Sequence, residues 1–302
     1  MEGILAIWKP EGWTSHDVVA KTRGILKVKR IGHAGTLDPM VTGVLPLCIG
    51  RSTRVVEYLQ ERPKAYEATI TLGIATDTED ITGDVIERAD ASHITLEQVE
   101  AAIQSFVGDI MQVPPMFSAV KINGQRLYDL AREGKVVERE PRPVTIHAIQ
   151  LLETHLQTAN PTFRFNVECS KGTYIRTLCV DLGKALGVPA TMSSLIRTMS
   201  GGITKDQCLT LEQVKALMEA GELEEHLLPA EVAINHLPSL VVKESKKRFA
   251  LQGQKLYWSD CKGHESLLED EIVRIYDEEH NFIGIFQLSQ QDKLIKPIKV
   301  FS

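Results

Sequence analysis

The chain has 302 residues, of which 43% are hydrophobic and 25% are charged. These are ordinary values for a globular protein, and they exclude fibrous and intrinsically disordered classes. The longest strongly apolar run, residues 44–49, is far shorter than the roughly 20 residues of a membrane helix, so we expect no membrane partner. The first residues lack the basic flank and apolar core of a secretory signal. Five cysteines form no CxxC pair, which predicts reduced thiols, no metal site and a cytoplasmic location.

Charge is distributed unevenly, although the net charge is only −6. Residues 16–54 carry seven basic and two acidic side chains, whereas residues 77–109 carry nine acidic side chains and one arginine. Such segregation is typical of a protein with a basic face for a polyanion. The alternative is a solvent-exposed helix that happens to be basic.

Taken in chain order, the hydrophobic pattern predicts short strands and helices through about residue 237, and the length suggests about two domains. The predicted strands are residues 3–9, 44–49, 66–72, 144–152 and 162–169. The predicted helices are residues 14–29, 52–59, 95–106, 127–132, 177–186 and 211–225. We expect Ser52 or Thr53 to cap the second helix, and Leu96 to lie on the apolar face of the third. Because strands and helices do not alternate strictly, the pattern favours an α+β fold with a mixed sheet.

A change in pattern near residue 238 predicts a domain boundary, with a first domain at residues 1–237 and a second at residues 238–302. The second segment is rich in strand signals and contains one short helix at residues 246–251, which Gly253 ends. Its predicted strands are residues 240–242, 272–276, 282–288 and 295–300. A segment of this size is near the lower limit for an independent core.

The strongest chemical candidate is Asp38, which lies in the segment GHAGTLDP at residues 32–39, next to a buried strand. Turn residues on both sides would hold this carboxylate rigidly, which suits a nucleophile or general base. The alternative is an ordinary Asp-Pro turn. His33 in the same segment, considered alone, is more typical of a packed core histidine.

Two further clusters could carry function. Tyr174 and Arg176 lie where a strand gives way to a helix, and Arg176 could pair with a carboxylate or a phosphate, or simply be exposed at a helix start. Tyr66 opens a strand, where an aromatic ring is usually part of the packing but could also stack on a base.

Together these motifs closely resemble the TruB family of tRNA pseudouridine synthases, and they occur in family order between about residues 3 and 200. The motifs are KPEGWTS (9–15), GHAGTLDP (32–39), KAYE (64–67), PPMFSAVK (114–121), KGTYIRTL (171–178) and SLIRT (194–198). The segment after residue 238 more loosely resembles PUA, the small RNA-binding β-barrel that often follows in this family. The chain departs from the family pattern at Met40-Val41, which keeps the apolar character, and at His280-Asn281, where a glycine is frequent.

The resemblance implies a mainly antiparallel catalytic sheet with flanking helices, followed by a PUA-like barrel. It also implies an enzyme that isomerises uridine in the T loop of tRNA, at tRNA position 55, with no cofactor and no metal. The uracil would be flipped out of the loop, cleaved from the ribose, rotated and rejoined through C5. Whether the aspartate attacks the uracil, attacks C1′ or assists a glycal route stays open.

The resemblance also assigns roles to single residues. Asp38 matches the obligatory aspartate, Arg176 the arginine that pairs with it, and Tyr66 the tyrosine that stacks on the target base. The remaining assignments, all to substrate binding, are His33, which fills space left by flipped bases, the pocket walls Tyr174 and Leu195, and the motif lysines Lys9 and Lys64.

The basic residues between positions 21 and 54 are expected to hold phosphates of the T arm of tRNA, and we expect a monomer. Two other functions are weighed against this one. In a non-catalytic RNA-binding protein or tRNA-folding chaperone, Asp38 would be only a turn residue. A carboxylate-pair hydrolase would need a second acid, and the quoted motifs contain none besides the glutamates of KPEGWTS and KAYE.

Overall fold

The computed structural model describes residues 1–122, 124–263, 270–289 and 291–301. The first part of the chain is built on strands of very different length. They are β1 (Gly3–Lys9), β2 (Ile31–His33), β3 (Thr42–Ile49), β4 (Lys64–Leu72), β5 (Ile74–Thr76), β6 (Val85–Arg88), β7 (Gly108–Gln112), β8 (Lys121–Ile122), β9 (Gln125–Arg126), β10 (Arg142–His155), β11 (Thr162–Cys169), β12 (Ala190–Ser200) and β13 (Ile203–Thr204).

Nine of these strands form one sheet in the order β1-β3-β12-β4-β11-β10-β7, with β2 added to β3 and β13 to β12. Every pairing in it is antiparallel except that of β12 with β3, which confirms the predicted mixed, mainly antiparallel sheet. β12 meets β3 only at Thr42 and Gly43, and β2 pairs with the other end of β3. Residues 34–41 connect the end of β2 to the start of β3, so this loop lies next to the point where β12 joins β3.

Seven α-helices in the described residues surround the two larger sheets, and the strand pairs β5-β6 and β8-β9 form two small sheets of their own. The helices are α1 (Ser15–Leu26), α2 (Val56–Glu61), α3 (Leu96–Ser105), α4 (Leu127–Arg132), α5 (Ile175–Leu186), α6 (Leu211–Ala220) and α7 (Glu244–Leu251). Capping boxes at Thr14, Thr95 and Thr210 start α1, α3 and α6, as their sequences favour. Among the described residues, no helix is both long and apolar enough to cross a membrane.

Several predicted helix details are wrong. The helix at 52–59 has no side-chain cap, because residues Gly50–Val55 form a 3-10 turn in which the Thr53 hydroxyl donates to the Gly50 carbonyl. α1 ends at Leu26, where Lys27 adopts a φ of 54°. α6 ends at Ala220 because Gly221, at a φ of 78°, closes it in the left-handed conformation. Leu96 is 42% exposed, since it lies in the first turn of α3 and outside the buried face.

The first sheet is covered on its faces by separate apolar clusters. α3 and α5 pack over β4, β11 and β12, where Phe163, Phe165 and Leu178 are buried. α1 and α6 pack over β1 and β3 through residues such as Val18 and Val214. The sheet is therefore held from several sides, which fixes the loops at its edges.

The last part of the chain forms a six-stranded, barrel-like sheet against which α7 packs, as predicted for a PUA-like unit. Its strands, in the order β15-β19-β18-β17-β14-β16, are β14 (Ser239–Val242), β15 (Leu256–Tyr257), β16 (Cys261–Lys262), β17 (Ile272–Tyr276), β18 (Phe282–Ser289) and β19 (Leu294–Val300). This sheet is not independent of the first. Ile285 is buried in the same cluster as Ile4 and Ile234, so the domain boundary at residue 238 stays a prediction.

One glycine in the first sheet illustrates how closely its strands approach each other. Gly43 has a φ of 117°, and a Cβ at this position would lie 2.2 Å from the carbonyl oxygen of Arg197. Both the backbone conformation and the contact with β12 therefore require glycine here.

We predict that Gly43→Ala lowers the free energy of unfolding by at least about 3 kcal/mol, because the left-handed conformation and the clash both oppose a side chain. The matched control is Gly221→Ala. Its φ is 78°, but a Cβ there would meet no described atom within 4 Å, so we expect only about 1–2 kcal/mol. Urea denaturation of both variants measures the difference, and equal losses would contradict the close-approach argument.

Candidate active site

The loop of residues 34–41 carries Asp38 and ends where β3 meets β12, in the interior of the strand order. The Asp38 side chain is 45% exposed, and its Oδ2 lies 3.1 Å from Nη2 of Arg176. A tight turn, in which the Val41 N–H donates to the Asp38 carbonyl at 3.0 Å, fixes the backbone at this point. The carboxylate is thus ion-paired on one side and open to solvent on the other.

Polar groups of β1, α1 and the turn between them form hydrogen bonds with the backbone of this loop. The Leu37 N–H donates to the Ser15 hydroxyl at 2.9 Å, and the Gly12 N–H donates to the Pro39 carbonyl at 2.9 Å. The Lys9 ammonium donates to the same Pro39 carbonyl at 3.1 Å. These bonds hold the backbone of Leu37 and Pro39, the residues directly before and after Asp38. The backbone position of Asp38 is therefore fixed.

Arg176 is the second residue of α5 and is 8% exposed. Besides Asp38, its guanidinium donates to the Phe117 carbonyl at 2.8 Å and the Thr78 carbonyl at 3.1 Å. The alternative that Arg176 is an exposed residue at a helix start is wrong. One planar group instead connects three segments that are far apart in the sequence.

A second carboxylate, Asp80, lies on the far side of this arginine, with Oδ2 at 3.8 Å from Nη1 of Arg176. Its other oxygen accepts bonds from the Thr78 hydroxyl at 2.9 Å and the Thr82 N–H at 3.0 Å. Asp80 is not among the residues predicted from the sequence, because it lies in the acidic run at 77–109 with no distinguishing local signal. Asp80 is buried, so it offsets the charge of Arg176 from the protein interior, whereas Asp38 stays accessible to solvent.

Tyr174 directly precedes α5, and Leu195 lies in the centre of β12. The backbone of Tyr174 is clamped by Gln112, whose amide donates to the Tyr174 carbonyl at 3.0 Å and accepts from its N–H at 2.7 Å. This clamp fixes the first turn of α5 and with it Arg176. Leu195 is 9% exposed and pairs with Ala68 of β4, in the apolar cluster to which Tyr66 also belongs.

Tyr66 is half-buried on β4, directly opposite Arg197 on β12. Burial raises the pKa of the Tyr66 phenol, whereas the charge and hydrogen bond of Arg197 oppose this rise. The Asp38 carboxylate is close enough to raise the same pKa further. The structure thus brings Asp38, Arg176 and Tyr66 together, and it adds Arg197, to which the sequence analysis assigned no role although the residue lies in the SLIRT motif.

His33 ends β2 and directly precedes the loop that carries Asp38. Its ring contacts His16 of α1 edge to face, with the centroids 5.4 Å apart. Burial and the neighbouring His16 and Arg197 lower the pKa of His33 below its usual 6.5, so the ring is neutral at pH 7.

Two of the predicted substrate-binding residues are instead part of the interior. Lys9 is fully buried, and its ammonium is satisfied by the carbonyls of Pro10, Trp13 and Pro39. Lys64 is 6% exposed and donates to the Gln60 and Arg62 carbonyls. Burial lowers the pKa of each amine to about 8. The Lys9 ammonium donates all three of its protons to carbonyls and the Lys64 ammonium donates two, so the assignment of both lysines to substrate binding stays a prediction.

The basic residues of the predicted phosphate-binding stretch, residues 21–54, fall into two groups. Lys21, Lys27 and Arg30 are exposed on and after α1. Arg51 and Arg54 instead donate to the Phe301 and Val300 carbonyls at the end of β19. These two arginines therefore join the two sheets, although the Arg51 side chain, which also pairs with Glu2, stays 48% exposed.

Comparison with known proteins agrees with this geometry. The family model described as TruB family pseudouridylate synthase, N-terminal domain, matches residues 23–175, which hold the loop, the Asp80 turn and the start of α5. The chain belongs to the TruB family of pseudouridine synthases. Two further TruB models match the rest, the tRNA pseudouridylate synthase B C-terminal domain at 176–235 and the pseudouridine synthase II TruB C-terminal model at 238–301.

Curated relatives match the whole chain. The tRNA pseudouridine synthase B of Bacillus pumilus (strain SAFR-032) is 45% identical over 305 residues, covering 100% of this chain and 98% of the relative. That of Bacillus subtilis (strain 168) is 44% identical and covers 99% and 97%. The predicted family is confirmed, and the protein is a pseudouridine synthase.

Solved structures of similar fold include a chain of a Cbf5–Nop10–Gar1 complex, with 29% identity and a TM-score of 0.78 over 99% of this chain and 85% of that one. A chain of an H/ACA RNP bound to a substrate RNA containing 2′-deoxyuridine has 26% identity and a TM-score of 0.75, with the same coverage. The likeness extends over both sheets.

We predict that Arg176→Lys lowers the turnover of this synthase about 100-fold or more, roughly 2.7 kcal/mol of barrier. Lysine keeps the charge but has no planar fork, so it cannot bond Asp38, Phe117 and Thr78 at once. Single-turnover kinetics measure the loss, at a temperature where circular dichroism shows the variant folded. Arg164→Lys is the matched control, because Arg164 is an exposed arginine of β11 paired with Glu67 and Glu153. Equal activity of both variants would remove Arg176 from the site.

Proposed function

We propose that this pseudouridine synthase acts on tRNA and converts the uridine at position 55 of the T loop into pseudouridine. The observation that carries the proposal is the solvent-accessible ion pair of Asp38 with Arg176, close to the Tyr66 side chain. The curated relatives named tRNA pseudouridine synthase B support tRNA as the substrate.

The reaction is an isomerisation, so it consumes no second reactant. The C1′–N1 bond breaks, the uracil turns, a C1′–C5 bond forms, the proton on C5 leaves, and N1 ends protonated. We propose that Asp38 supplies the carboxylate for this exchange, whether it attacks the uracil, attacks C1′ or assists a glycal route. Each route needs an anionic oxygen that points out of the protein, and the exposed side of the Asp38 carboxylate supports that role.

A uridine inside a folded loop is stacked, and flipping it out costs a few kcal/mol. We propose that the Tyr66 ring receives the flipped base, with Leu195 and Tyr174 as walls of its pocket. The neutral His33 ring, next to His16, would fill the space that the base leaves. An uncharged ring suits this place, since bases stack on it without a desolvated charge.

Exposed basic residues of α1 and the following turn would hold phosphates of the T arm, which proteins recognise through shape. Asp38, Arg176 and Tyr66 come together within one chain, so the proposed site needs no second copy and we propose a monomer. All five cysteines are free thiols, which suits a reducing compartment such as the cytoplasm.

We predict that Asp38→Asn abolishes turnover but leaves tRNA affinity within about threefold. Asparagine keeps the shape of the side chain but lacks the anionic oxygen. Pseudouridine formed on an unmodified tRNA transcript is measured by mass spectrometry after carbodiimide labelling, and affinity by filter binding.

The same assay separates the proposed function from its main alternative. A transcript with cytidine at position 55 controls for the site of reaction. A wild-type protein that binds tRNA but forms no pseudouridine would favour a non-catalytic RNA-binding protein. Asp38→Asn turnover within tenfold of the wild type, about 1.4 kcal/mol of barrier, would exclude the carboxylate mechanism.

We further propose that the second sheet contacts tRNA outside the T arm. Around α7 and β15 it exposes two aromatic rings, Phe249 at 43% and Tyr257 at 60%. The basic residues Lys243, Arg248 and Lys255 are exposed in the same region. Aromatic rings interleaved with basic side chains are suited to unpaired nucleotides.

We predict that the double variant Phe249→Ser/Tyr257→Ser weakens binding of full-length tRNA about 30-fold or more, because each stacked base contributes about 1–3 kcal/mol and the variant removes both rings. Turnover of an isolated T-arm stem-loop should stay within twofold. Filter binding measures the tRNA affinity, and stem-loop kinetics measure the turnover. The control is Lys184→Ser, because Lys184 is an exposed residue of α5. A loss of stem-loop turnover equal to the loss of tRNA affinity would contradict a contact outside the T arm.

A further inference from the structure

Arg197 is the largest fully buried side chain of the described structure, with 1% of its surface exposed. Within the described parts of the chain, no Asp or Glu forms an ion pair with it. Burying a guanidinium without a carboxylate carries a large desolvation penalty, which appears as a lowered pKa of this group. A cation kept in such a place needs specific neutral acceptors around it.

Three such acceptors surround the guanidinium. Nε donates to the Val44 carbonyl at 2.8 Å, and Nη2 donates to the Gly35 carbonyl at 3.1 Å. Tyr66 lies directly opposite Arg197 in the pairing of β4 with β12, and its hydroxyl oxygen is the third acceptor within reach of the guanidinium. Val44 and Gly35 lie on either side of the loop that carries Asp38, so the guanidinium is anchored to both stems of this loop.

Space for the guanidinium depends on Gly35. This residue has a φ of 95°, and a Cβ there would lie 3.3 Å from Nη1 of Arg197. On the other side, the backbone of Arg197 lies against Gly43 too closely for any Cβ. The chain is thus shaped around Arg197 at two glycines of the same loop region.

We propose that Arg197 is a positioning residue for the reaction, which acts by fixing the hydroxyl of Tyr66 over the pocket next to Asp38. The inference rests on the proposed function of Tyr66 as the residue that receives the target uracil. A guanidinium can only donate, so the Tyr66 oxygen is the acceptor in this bond and its own hydrogen remains available to another partner. Tyr66 is therefore both held in place and left able to exchange a proton.

The electrostatic surroundings of Tyr66 agree with this role. The charged or titratable groups that face its phenol are Arg197 on β12, the Cys169 thiol on β11 and Asp38 in the loop. Burial, Cys169 and Asp38 raise the pKa of the phenol, and of these groups only Arg197 lowers it. Removing the guanidinium should therefore raise the pKa of Tyr66 further.

The test is a double-mutant cycle with Arg197→Lys, Tyr66→Phe and the double variant, in single-turnover conversion of a tRNA transcript. We expect Arg197→Lys to lower the rate constant at least tenfold, with tRNA affinity within threefold of the wild type. In the Tyr66→Phe background the same change should lower it less than threefold further, because its route of action is already removed. Arg164→Lys, on the surface of the same sheet, should change neither value.

A second readout separates positioning from a merely structural role. With ¹³Cζ-labelled tyrosine, the Tyr66 resonance, assigned by its loss in Tyr66→Phe, should titrate at higher pH in Arg197→Gln than in the wild type. If no variant at position 197 folds, the comparison of the wild type with Tyr66→Phe still tests the proposal. Loss of the hydroxyl should shift the slowly exchanging guanidinium N–H signals of Arg197.

Three results would overturn the inference: equal losses from Arg197→Lys in both backgrounds, Arg197→Lys turnover within threefold of the wild type, or unchanged guanidinium signals in Tyr66→Phe. Failure of the wild type to form pseudouridine on tRNA would instead overturn the proposed function. The two failures are therefore distinguishable in one set of experiments.

Discussion

The site depends on one buried guanidinium, that of Arg176. It bonds Asp38, the Thr78 carbonyl and the Phe117 carbonyl, and it faces Asp80 from 3.8 Å. An exposed ion pair contributes little and is screened by salt, whereas a pair with one nearly buried partner is held in a single geometry. The position of the Asp38 carboxylate thus follows from the packing of α5 against the sheet.

The sequence predicts the elements and residues whose signals are local. Asp38 lies between Gly and Pro turns, α5 is followed by Gly187, and the motif resemblance is sufficient to assign Arg176 and Tyr66. Asp80 and Arg197 could not be assigned in the same way, because their roles come from partners about 100 and 130–160 residues away. Lys9 and Lys64 show what a motif alone does not reveal. The resemblance assigns both to substrate binding, but only the fold shows that nearby carbonyls accept hydrogen bonds from both ammonium groups.

Basic residues in this molecule therefore divide into three kinds of use that composition cannot separate. Exposed lysines such as Lys21 are free to meet a polyanion. Arg51 and Arg54 join the sheets by donating to carbonyls at the end of β19, and Ile285 completes the apolar cluster beneath them. Because the second sheet shares this cluster, its orientation relative to the active site is fixed by both packing and hydrogen bonds.

The third kind of use surrounds the Asp38 loop with buried cations. Lys9, Lys64 and Arg197 are buried near the site, and their hydrogen-bond acceptors include neutral carbonyl oxygens. Neutral acceptors satisfy hydrogen bonds without cancelling charge. The charge of Lys9 therefore still acts on Asp38, and the Asp38 carboxylate in turn raises the pKa of Lys9 against the effect of burial. Burial removes these side chains from solvent, and it also reduces the screening of their charges by water and salt.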